Sequence, residues 1–128
     1  MTSIEPKQLA KEIFDSDQQI VHLGIVDLKG NVLLDQSSAA SAPSEPDPGR
    51  KEYYGIVAER RNTREHFDEA YGKTDYIHVI REKMQQMILY LPEITVYLTL
   101  EKSITPEEAK GIAQKIKLLD SNIMESGI

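Results

Sequence analysis

Apolar residues recur along the chain with two periods, and the switches between them mark out its elements. Leu9, Ala10, Ile13 and Phe14 fall at helical spacing and predict a helix over about Pro6 to Asp15. Ser3 or Glu5 beside Pro6 suits its start. Gln19 to Asp27 is rich in β-branched and apolar residues, and Val32-Leu33-Leu34 resumes the run after Leu28-Lys29-Gly30-Asn31. Adjacent Gly and Asn supply the positive φ of a tight hairpin. An antiparallel hairpin here is the strongest local signal in the chain.

The pattern then lapses. From Ser37 to Arg50, Ser, Ala and Pro dominate, with Pro43, Pro46 and Pro48 spaced through the stretch. Such a composition neither packs a core nor holds a ladder, so a loop is expected. Helical spacing returns over Lys51 to Ala70. Tyr53, Ile56, Val57, Phe67, Ala70 and Tyr71 form one stripe, and Gly72 is placed to end it. Arg60, Thr63 and Arg64 interrupt the middle of that stripe. Either the helix bends near Asn62, or the polar stretch faces something other than a core.

Three strands are expected next: Tyr76–Arg81, Met84–Leu91 and Ile94–Leu100, with turns at Glu82-Lys83 and Pro92-Glu93. A last helix opens at Thr105-Pro106-Glu107-Glu108, where Thr105 can act as N-cap and Glu108 can complete a capping box. Its apolar stripe is Ala109, Ile112, Ala113, Ile116, Leu119 and Ile123. The strands Ile20–Val26 and Met84–Leu91 are apolar at both parities, whereas a sheet wet on one face would alternate. Helices therefore cover both faces of the central strands, and three helices are available to do it. The expected fold is α/β (α+β): a sheet between one long helix and two terminal helices, in the order αββαβββα.

Composition narrows the function classes. The 128 residues amount to one ordinary domain, 1–128, carrying the loop at about 37–50. There is no cysteine, which excludes disulfide scaffolds, cysteine nucleophiles and thiolate metal sites and fits the reducing cytoplasm. Met1–Leu9 has no apolar run of the signal-peptide kind, and no stretch approaches the ~20 apolar residues of a membrane span. A net charge of −6 argues against nucleic-acid binding as a partner class. There is no G-x-x-x-x-G-K, G-x-G-x-x-G or G-x-S-x-G motif. His66 and Glu69 lie one turn apart, but no further ligand stands near them in sequence. His22 and His78 fall within strands, where satisfied core or edge roles are the common outcome. No pair of carboxylates is set up for acid–base work. A non-enzyme without cofactor or metal is the expectation.

Positive charge is nevertheless concentrated. Arg60, Arg61 and Arg64 share one helix, and Lys73, Arg81 and Lys83 follow. These cations can form a solvated face paired with Glu59, Glu65 and Glu69, or a contact surface for an acidic partner. Arginine forks and the nearby Tyr53, Tyr54, Tyr71 and Tyr76 are interface-type residues.

The order of elements resembles that of the roadblock/dynein light chain domain over almost the whole chain. The residues that carry the resemblance are Leu23-Gly-Ile-Val-Asp27 with Gly30-Asn31-Val32, similar to that family's first hairpin, and Tyr76-Ile-His-Val-Ile80 through Leu100, similar to its later meander. The hairpin pattern is shared with profilin-like, longin, PAS and GAF domains. The chain is also similar to small archaeal proteins of unknown function, with Arg81-Glu-Lys83 opening the hairpin. The resemblance implies a five-stranded antiparallel sheet with the long helix on one face and the terminal helices on the other. It further implies a homodimer formed through the long helix and the edge strand, acting as a scaffold or regulator of a small GTPase. On that basis the interface would comprise Tyr53, Tyr54, Val57, Arg60, Arg61, Arg64, Tyr76, His78 and Ile80. A PAS/GAF-like small-ligand sensor is the alternative, with a cavity lined by residues such as His22, Met87 and Tyr90.

Overall fold

The computed structural model describes residues 5–38 and 48–126. The elements are α1 (Pro6–Ser16), β1 (Ile20–Asp27), β2 (Val32–Ser37), α2 (Pro48–Glu65), α3 (Asp68–Tyr71), β3 (Ile77–Ile80), β4 (Gln85–Tyr90), β5 (Ile94–Leu100) and α4 (Pro106–Ser126). The five strands form one antiparallel sheet in the order β2-β1-β5-β4-β3.

The hairpin forms where Gly30 and Asn31 stand. Gly30 has φ 93°, and Asp27 accepts from the backbone N–H groups of Lys29 and Asn31 and from the Asn31 amide, each at 2.9 Å. The second strand runs to Ser37, further than the apolar run alone indicates. Most of the expected loop, residues 39–47, lies outside the described residues.

At the start of α1, Pro6 follows Glu5, whose side chain caps nothing. α4 begins with the reciprocal capping box. The Thr105 N–H donates to Glu108 Oε1 at 3.0 Å, and the Glu108 N–H donates to Thr105 Oγ1 at 3.1 Å. The long middle helix is not continuous to Ala70. It ends at Glu65, where the His66 and Phe67 N–H groups bond back three residues to Thr63 and Arg64, the tighter winding common at helix ends. The break falls a few residues beyond Asn62.

The sheet divides the core unequally. Leu23, Ile25, Met87, Leu89, Val96 and Leu98 pack against Leu9 and Ile13 of α1 and Ala109, Ile112 and Ile116 of α4. The opposite face holds a smaller cluster, Val26, Ile88 and Tyr97 with Tyr54 and Val57 of α2. That second face also buries polar groups: His22, Gln86, Thr95 and Arg61.

Candidate interaction surface

α2 presents a buried row, whose two ends meet different neighbours, and an outer row beside it. The start of the buried row sits over β1 and β2. Tyr54 is fully buried, and its hydroxyl donates to Asp35 Oδ1 at 2.9 Å. The same oxygen pairs with His22 Nε2, and His22 Nδ1 lies 3.0 Å from Ser37 Oγ. Through this group the buried Tyr54 hydroxyl and His22 ring reach partners on β2, as buried polar groups require.

Two turns on, the buried row is anchored by Arg61, which is 6% exposed. Its fork donates to the carbonyls of Leu91 (2.6 Å) and Ile94 (2.8 Å) and to Thr95 Oγ1 (3.1 Å). The guanidinium also lies 5.0 Å from the Tyr90 ring centroid, and Glu65 one turn on balances its charge at 3.4 Å. Arg61 therefore clamps α2 to the β4–β5 turn.

The outer row borders β4 on the side of the edge strand β3. Tyr53 packs its ring on Tyr97 at 5.2 Å and reaches Gln86 Oε1 at 3.5 Å. Arg64 donates to the Tyr90 hydroxyl at 2.9 Å. Between and beyond them, Ile56, Arg60, Phe67 and Tyr71 are exposed. Phe67 and Tyr71 stack at 6.1 Å with planes 21° apart, and they are 53% and 84% exposed. With Arg64, Asp68, Gly72 and Thr74 they line a cleft of about 310 Å³.

β3 is the sheet edge beside this row. The Arg81 N–H donates to the Met84 carbonyl at 3.0 Å, and Ile80 pairs with Gln85. Antiparallel ladders alternate bonded and non-bonded pairs. The main-chain groups of His78 and Ile80 are therefore the ones turned outward. The Ile80 side chain is 68% exposed. The His78 ring is half-buried, with Nε2 donating to Gln85 Oε1 at 2.6 Å. Gln85 in turn donates to the carbonyls of Lys102 and Ile104 at 2.9 Å, so β3 is tied through Gln85 to the connection between β5 and α4.

The nine residues expected at an interface thus separate. Arg60, Arg64 and Ile80 are on the surface, and Tyr53, Tyr76 and His78 are half-buried. Tyr54, Val57 and Arg61 are buried in the protein's own core, so within the single chain they present nothing to a partner. Ile56, Phe67 and Tyr71, read from the sequence as a core stripe, are exposed instead. The break after Glu65 turns the last two away from the sheet. The cavity expected for a sensor is not shared by its three residues. His22 stands opposite Thr99, and Met87 stands opposite the adjacent Leu98. His22 and Met87 therefore lie on opposite faces of the sheet.

Among known structures, MglB in a tetrameric arrangement aligns over 100% of this chain and 96% of its own, at TM-score 0.73 and 13% identity. The gliding protein MglB of Thermus thermophilus aligns over 98% and 95%, at 0.74 and 13%. The roadblock/LC7 domain of Streptomyces avermitilis aligns over 98% of both chains, at 0.67 and 7%. The chain has the roadblock/LC7 fold. No protein-family model and no curated protein matches the sequence, so the likeness is one of architecture. In this roadblock fold the half-polar α2 face and the β3 edge lie together on one side of the molecule. No helix among the described residues is long and apolar enough to cross a membrane.

Proposed function

We propose that the protein is a non-catalytic interaction module that pairs with a second copy of itself through β3 and the outer row of α2, and that it acts on a small GTPase. The homodimer rests chiefly on one observation. β3 offers outward main-chain groups at His78 and Ile80, with Ile80 exposed beside them and the row Tyr53, Ile56, Arg60, Arg64 running alongside. An open sheet edge is a template for another strand, and β3-to-β3 pairing about a two-fold satisfies both edges at once. The same two-fold sets the two α2 helices side by side and antiparallel. The GTPase role rests on the roadblock/LC7 fold and on the arginines left at the surface, Arg60 and Arg64. Arginine forks hold carboxylate and phosphate groups bidentately.

Light scattering across a wide concentration range tests the pairing, and a monomer throughout would end it. Arg60→Glu with Arg64→Glu should weaken association while leaving the far-ultraviolet circular dichroism unchanged. Association unaffected by the double reversal would remove the arginines from the interface. Binding of purified small GTPases, loaded in turn with GTP and GDP, tests the partner class. Equal failure with both would leave the dimer without that role.

A further inference from the structure

We propose that two adjoining clefts at the end of α2 bind a free α-amino acid with a large apolar side chain. Such a site stands independently of any pairing through β3. The first cleft, of about 310 Å³, carries the exposed, stacked rings of Phe67 and Tyr71. The second, of about 330 Å³, is lined by Arg61, Glu65, Lys73 and Tyr90. Asp68 and Thr74 line both clefts, so the two meet there. Each is at the small end of the range for small-molecule sites.

The second cleft holds charge of both signs, and part of it is unspent. Arginine has five N–H donors. In Arg61, Nε donates to Glu65, Nη1 to Ile94 and Thr95, and Nη2 to Leu91. One N–H of Nη2 is left without an acceptor among the described residues, on a buried side chain that lines the cleft. A buried donor calls for a partner. Glu65 is engaged by Arg61, whereas Lys73 and Asp68 form no ion pair among the described residues. What is left is a carboxylate at the junction, a lysine and an arginine N–H in one cleft, and an aromatic wall in the other. An α-amino acid branches into ammonium, carboxylate and side chain at a single carbon. With that carbon at the junction, Asp68 accepts from the ammonium, and Lys73 and the Arg61 N–H donate to the carboxylate. Charge-assisted bonds of this kind are the strong ones. The side chain then lies against Phe67 and Tyr71. A ligand of one sign alone would meet two groups of its own sign, which selects against it.

Titration of the isotope-labelled protein with L-phenylalanine, followed by amide shifts, tests the site. Saturable shifts are expected within residues 61–74 and 90–92. Phenethylamine, which lacks the carboxylate, should bind about tenfold more weakly, as should phenylpropionate, which lacks the ammonium, and glycine, which lacks the side chain. Lys73→Gln should abolish the preference for phenylalanine over phenethylamine, and Asp68→Asn the preference over phenylpropionate. A merely unfolded variant would lose all binding together, and its amide spectrum would collapse. Shifts that fail to saturate, or that centre on other residues, overturn the site. Equal binding of phenylalanine and phenethylamine by the parent protein overturns the seat for the carboxylate. Preferences unchanged in both variants overturn the roles of Lys73 and Asp68.

Discussion

Gly24 lacks a side chain because the Tyr54 ring occupies the space a side chain would need. A Cβ there would stand 2.5 Å from the Tyr54 carbon that bears the hydroxyl and 2.7 Å from the adjacent ring carbon, and closer still to the hydroxyl oxygen. The ring cannot swing aside freely, since its hydroxyl is committed to Asp35. Gly24→Ala should therefore destabilise the fold by about 1–3 kcal/mol, as overpacking of a filled core does, and lower the urea midpoint. An unchanged midpoint would show that Tyr54 is not fixed by its partner. Tyr54→Phe keeps the ring but removes the bond to Asp35, and should cost about 1 kcal/mol. A glycine inside a strand is a recognisable sign of close backbone approach, so the position was legible. The identity of the approaching group was not, because Tyr54 comes thirty residues later. At the hairpin, Asp27 sits below the usual carboxylate range, chiefly through the Asn31 amide and then the backbone N–H groups of Asn31, Lys29 and Gly30. A carboxyl whose folded pKa lies below its unfolded value of 3.8 adds stability above that value. The contribution disappears as pH falls through the lower, folded value. Asp27→Asn should flatten that part of a pH–stability curve measured by denaturant unfolding. A curve unchanged below about pH 4 would discount the turn's carboxylate.

At the scale of elements, α2 shows why the arginine run could be read only in part. Arg60 and Arg61 are adjacent and chemically identical, yet one is exposed and the other clamps the β4–β5 turn. Helical periodicity separates them, because Tyr54, Val57 or Ala58, and Arg61 follow one another at steps of three and four on a single buried row. What periodicity lacked was the acceptors, carbonyls at Leu91 and Ile94 about thirty residues away. Arg61→Ala takes the side-chain donor from the Leu91 carbonyl, leaves the Ile94 carbonyl only the Leu91 N–H at 3.0 Å, and removes the cation from the Tyr90 ring. A loss of about 2–3 kcal/mol is expected. Arg60→Ala should change stability by no more than about 0.5 kcal/mol. Equal effects of the two in urea unfolding would refute the division of labour. The αββαβββα order, the β5 limits and the Thr105 capping box were all legible, since each depends on local chemistry. The end of α2 was not. Phe67 and Tyr71 continue the apolar stripe in sequence, and only the tightened turn at His66 and Phe67 takes them off it.

For the whole molecule, the open question is what meets the two edges of the sheet. β2 and β3 both end it, but their surroundings differ. β2 has its inner side chains tied into the His22–Asp35–Tyr54 group, whereas β3 stands beside the outer row of α2, Tyr53, Ile56, Arg60 and Arg64. The small α2-side core, with its buried Arg61, Gln86 and Thr95, makes that layer the less apolar of the two. A second copy laid along β3 would extend both the sheet and the α2 layer across a two-fold. Ile80→Pro separates this pairing from the fold. The Ile80 N–H points away from β4, so proline removes a donor that the monomer does not use, at an edge position where sheets tolerate it. The ring nevertheless blocks a strand from adding there. The variant should unfold within about 1 kcal/mol of the parent yet lose dimer mass at concentrations where the parent is paired. If the proline variant kept its dimer mass, β3 would not be the seam, and the α2 row alone would have to hold the copies together.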